Sequence, residues 1–174
     1  MRRLALLFLF VAAPTLGRDI AAVNLAAGEA VTIEFDDGGR TGEPRRSNAI
    51  WSTFDLYAAR QLAGITPPDE PVPQGMPIHG PEEMRPEPIP GDQVRLRMLS
   101  IAGQHTLLVV ENGRDRALAY RARMVVNGRE SRTDVCVVLP NLPSYEHWAF
   151  PIERLHLYDF RFIPWPPGRN PTCE

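Results

Sequence analysis

The chain has 174 residues, 44% of them hydrophobic, and a formal net charge of −2. That is enough apolar content and length for one packed core. A weakly acidic body has no electrostatic reason to gather on DNA, RNA or anionic lipid, so nucleic-acid binding is excluded from the readings that follow. All 19 basic residues are arginine, a bias that points to a high-GC bacterial genome rather than to a function.

The first residues, MRRLALLFLFVAAPTLG, place Arg2 and Arg3 before an unbroken apolar run from Leu4 to Ala13. A positive start, a short apolar centre and small residues at the end make a secretory signal peptide over 1–17. Ten apolar residues are too few to span a bilayer, which takes about 20, and no later segment is apolar enough. The expectation is a mature chain, 18–174, that is exported to the bacterial periplasm or medium with no membrane span after cleavage. Loss of Arg2 and Arg3 takes its charge to −4.

AVTIEF (30–35) alternates with the period of a half-buried strand, and DDGGR closes it as a turn. In STFDLYAARQLAG (52–64), Ser52 and Asp55 approximate an N-terminal cap. Phe54, Tyr57, Ala58 and Leu62 recur at helical spacing, and Gly64 ends the helix. Residues 66–93 contain nine prolines, which no helix or sheet interior tolerates, so the stretch is an extended strap within one domain.

VRLRMLSI, HTLLVVE, RALAYRARMVV and ESRTDVCVVL then read as successive strands. Asn112-Gly113 and Asn127-Gly128 separate the last three of them, and Asn-Gly is a strong hairpin signal. These turns predict a meander. A proline-bounded crossover, LPNLPSYEHWAFP (139–151), leads to a final strand, RLHLYDFRFI. Arg121 and Arg123 fall on one face of the third strand as a solvated surface. The whole is mainly β: an antiparallel β-sandwich with one N-terminal helix and a proline-rich strap. Immunoglobulin-like topology is among the arrangements allowed, although the usual Cys, Trp and Cys spacing is missing.

Cys136 and Cys173 meet an oxidising compartment in an exported chain, and neither sits in a C-x-x-C. The expectation is a disulfide that tethers the tail, 164–174. Met76, His79 and Met84 in the strap carry soft or borderline donors that suit copper. Met98 and His105 are further donors that would have to approach the strap. A flexible strap does not preorganise a site, so no cofactor is expected, with periplasmic copper binding as the alternative.

No G-x-S-x-G, H-E-x-x-H or Gly-rich phosphate loop is present. Ser144, Glu146 and His147 are close in sequence, which is not how triads are assembled. A non-catalytic role in the bacterial envelope follows, in binding, assembly or scaffolding, with a small hydrolase as the enzymatic rival. Tyr145, His147, Trp148 and Phe150 crowd the crossover, either capping the core or forming a platform for a partner protein or ligand. The partner itself is not legible.

Overall fold

A computed structural model describes residues 22–36, 41–64 and 88–173. The expected signal peptide, the Met76, His79 and Met84 set and most of the strap lie outside those residues. Among the described residues the elements run β1 Val23–Ala26, β2 Glu29–Glu34, β3 Arg45–Asn48, α1 Thr53–Ala63, β4 Gln93–Ile101, β5 His105–Asn112, β6 Ala117–Val126, β7 Arg129–Thr133, β8 Pro143–Trp148 and β9 Arg154–Ile163. The described residues are mainly β, with two antiparallel sheets and one short helix. The four-stranded sheet has the order β1-β9-β6-β7 and the five-stranded sheet the order β3-β2-β4-β5-β8.

Period-two alternation decides what each strand buries. Val23, Leu25, Leu118, Leu155 and Leu157 of the smaller sheet share one buried cluster with Val31, Ile33, Leu96, Met98 and Leu108 of the larger. Each such side chain removed from water contributes about 1.5–3 kcal/mol. Met98 is fully buried in this cluster, which removes it from the candidate metal donors.

β4 and β5 are buried on both faces because α1 lies on the outer one. Ala59 packs with Leu99, Ile101, Leu107 and Val109, and Ala63 joins them; small side chains let the helix come close. Ser52 Oγ accepts from the Asp55 amide at 3.1 Å, while the Asp55 carboxylate accepts from the Ser52 amide at 2.7 Å. This reciprocal capping box starts the helix, and Gly64, at φ 66°, ends it in the left-handed region.

The expected meander is only half present. Asn127 (φ 49°) and Gly128 (φ 70°) do turn β6 into β7 as a hairpin. Asn112-Gly113, by contrast, carries the chain from one sheet to the other. The Asn112 amide nitrogen donates to the carbonyls of Arg116 (2.8 Å) and Leu139 (3.1 Å), and its oxygen accepts from the Arg114 amide (3.1 Å). A Cβ at Gly113 would stand 2.1 Å from the Pro90 carbonyl oxygen. Close backbone approach, not positive φ, is what requires glycine there.

Two further corrections concern the later chain. The stretch 130–139 is not one strand: β7 ends at Thr133, and beyond it Cys136 and Val138 make isolated bridges. The crossover at 139–151 contains β8, which pairs with β5 as the edge of the larger sheet. In β9, a register shift opposite Ala119–Arg121, with Asp159 at φ 56°, inserts a bulge. The bulge moves the inward phase from Leu155 and Leu157 to Phe160. Cys136 and Cys173 are bonded, with S–S 2.00 Å, and the Val137 amide donates to the Thr172 carbonyl at 2.9 Å.

Candidate functional site

β8 carries most of the residues singled out in the sequence, and its alternation divides them. Tyr145 pairs with Val109 and His147 with Leu107, so both point to the outer, helix-bearing face. Ser144, Glu146 and Trp148 point the other way, towards the second sheet. Ser144 and Glu146 therefore face away from His147, and the three do not assemble a triad. Tyr145, His147 and Trp148 are half-buried, and Phe150, just beyond the strand, is 38% exposed.

On the outer face, Tyr145 lies 5.5 Å from the Phe54 ring, and its hydroxyl donates to Asp55 at 3.3 Å. Burial, with the Asp55 charge, raises the Tyr145 pKa well above the usual phenol range. Asp55, fully buried, also accepts two hydrogen bonds from the Arg97 guanidinium. Arg97 donates in addition to the Ile50 carbonyl (2.8 Å) and to Glu111 (3.1 Å), and Glu111 accepts a bidentate pair at 2.6 Å from Arg95.

Burial works against the Arg97 charge, but the two carboxylates outweigh it and its pKa is raised. This network of two arginines and two carboxylates fastens α1 to the sheet. Sequence reading missed it because Arg95 and Arg97 alternate like a solvated strand face; an acid at the third helical position, short of partners, was the available signal.

His105 and His147 are diagonal neighbours on the same outer face. His105 Nδ1 and His147 Nε2 are 2.9 Å apart, with ring centroids at 5.1 Å and an interplanar angle of 12°. The nitrogens thus lie between the centroids, and the rings meet edge to edge in nearly one plane, joined by one N–H···N bond. Burial, then the neighbouring His105, lowers the His147 pKa.

On the inner side, Trp148 Nε1 donates to Thr133 Oγ1 at 2.9 Å, tying the end of β8 to the end of β7. Glu146 accepts from the Cys136 amide at 2.7 Å. Burial raises the Glu146 pKa, the Cys136 amide opposes the rise, and the Asp134 charge adds to it.

Where these two sheet edges meet, a cleft of about 540 Å³ opens, lined by Trp148, Phe150, Tyr158, Met124, Arg121 and Arg132 among others. Arg121 is held by Asp159 at 3.4 Å. Arg132 sits directly across the ladder from Arg123, which is itself paired with Glu130 at 3.1 Å. The cleft thus combines aromatic walls and a thioether with two arginines and one carboxylate, Asp134. It offers surface for binding.

Of the four crossover residues, Trp148 and Phe150 enter the cleft, whereas Tyr145 and His147 do not. Among the described residues no group of three or more His, Cys, Asp or Glu gathers as a metal site. Comparison of the chain with protein-family models, with curated proteins and with solved structures found no match.

Proposed function

We propose that the protein is an exported, non-catalytic binding protein of the bacterial envelope, built on a β-sandwich, whose partner or ligand enters the cleft between β7 and β8. The basic and apolar start of the chain supports export, and the Cys136–Cys173 disulfide suits an oxidising compartment. The core shared between the two sheets supports the sandwich reading, of which immunoglobulin-like arrangements are one kind.

The observation that carries the binding reading is the cleft itself, with Trp148 and Phe150 beside Arg121 and Arg132. Aromatic and arginine side chains dominate binding hot spots, and clefts of several hundred Å³ are the usual size for ligands. Its chemistry suits an anionic ligand, or a partner segment, that also presents an apolar or aromatic group.

A photo-crosslinking amino acid placed at position 150, in the bacterium that exports the protein, tests the reading. A discrete adduct from position 150, and none from Ile50, which is more exposed still, is the expected result. No adduct, or the same adducts from both positions, contradicts it.

A further inference from the structure

The geometry points to a second site on the protein: His105 and His147 form a two-imidazole seat for a borderline divalent metal ion, with Cu(II) as the preferred occupant. The site is separate from the cleft, because His147 projects from the opposite face of β8 to Trp148.

Spacing is the first argument. Metal–imidazole bonds of about 2.0–2.1 Å put two adjacent corners of a square-planar ion about 2.9 Å apart. His105 Nδ1 and His147 Nε2 already stand 2.9 Å apart, on strands whose register is fixed by the β5–β8 ladder. In the free pair one nitrogen carries the bridging proton and the lone pair of the other accepts it, since the rings meet edge to edge. To coordinate, each ring turns until its lone pair points to a common position beside the line joining the nitrogens. The terminal torsion of histidine is broad enough to allow this, and both side chains are half-exposed.

Proton balance is simple. In the free pair one ring donates the bridging proton and the other accepts it. On metal binding the donating ring shifts its proton to its other nitrogen, so two neutral imidazoles present two lone pairs and no proton need leave.

Ligand type selects the ion. Imidazole suits Cu, Zn and Ni, the affinity order of divalent ions peaks at Cu(II), and Cu(II) favours tetragonal geometry. Among the described residues no third His, Cys, Asp or Glu completes the set. Water therefore fills the remaining positions, and the ion is exchangeable rather than structural.

The test is a Cu(II) titration of the full chain with glycine as competing ligand, followed by electron paramagnetic resonance. One ion per chain is expected, with coupling to two imidazole nitrogens. His105→Ala and His147→Ala should each weaken binding at least tenfold, while His156→Ala and His79→Ala leave it unchanged. In the unsubstituted protein, Cu(II) should broaden the amide resonances around residues 105 and 147 first, which needs no variant to fold. Broadening centred elsewhere, full binding by the His105→Ala/His147→Ala double variant, or loss of binding in His79→Ala would overturn the assignment.

Discussion

Asp55 does two jobs with one carboxylate. It closes the capping box with Ser52, and it neutralises Arg97, which is 6% exposed. Only the first was legible in sequence, because capping is written in adjacent residues, whereas the Arg97 contact is made across 42 positions. Removing one partner of a buried pair leaves an uncompensated charge, at a cost of about 3–5 kcal/mol. Asp55→Ala should lose about that much in urea unfolding, and the Asp55→Ala/Arg97→Met double variant should lose less than Asp55→Ala alone. A double variant that is less stable than the single one would show that the pair is not what holds α1.

His147 makes a pH prediction at the same scale. Its pKa is lowered in the folded state, so the unfolded chain binds the extra proton first. The associated stability is fully present above the unfolded value, about 6.5, and is lost as pH falls through the folded one. Metal-free protein should therefore weaken on acidification below that value, and His147→Gln should flatten this part of the profile. Parallel profiles for the two proteins would contradict the assignment.

At the scale of elements, strands with clean alternation or a dense apolar run were readable, and those with neither were not. β2 and β6 bury largely period-two sets, whereas β4 and β5 are covered on both faces and read as strands from their apolar content and length. β3, RRSN, is exposed throughout and owes its existence to pairing with β2. The bulge in β9 did leave a trace, since the apolar residues of RLHLYDFRFI change phase across Tyr158-Asp159.

The two Asn-Gly pairs show the limit of motif reading. The same dipeptide serves a hairpin at Gly128 and a sheet-to-sheet crossing at Gly113. The consequences differ accordingly. Gly113→Ala drives a Cβ into the Pro90 carbonyl and should cost about 2 kcal/mol or more, in the range of overpacking. Gly42→Ala meets nothing within 4 Å and should be within about 0.5 kcal/mol of the parent. Equal stabilities for the two variants would remove the close-approach explanation.

Over the whole molecule, two sheets around a shared core leave few places for a tail or a ligand. The Cys136–Cys173 bond spans a sequence separation of 37, and a loop of that size is credited with roughly 3–4 kcal/mol in the chain-entropy model. The Cys136→Ala/Cys173→Ala variant should lose a comparable amount in urea unfolding. No change would mean that the tail contributes nothing to the fold.

The cleft was half legible. Trp148 and Phe150 stand out in the sequence as aromatics between prolines, but those prolines mark a crossover and hide the alternation of β8 that sends Tyr145 and His147 elsewhere. Arg132 and Tyr158 are not placed by the sequence, because four strands from two sheets must meet before the cleft exists.

The most direct measurement is a fluorescence titration of the folded chain with anilinonaphthalene sulfonate, a probe that is both anionic and aromatic. One dye per chain is predicted, with affinity reduced about tenfold by Phe150→Ala and by Arg132→Glu and unaffected by Ile50→Ser. A folded chain that binds no dye, or that binds it equally well in all three variants, would contradict the binding site described here.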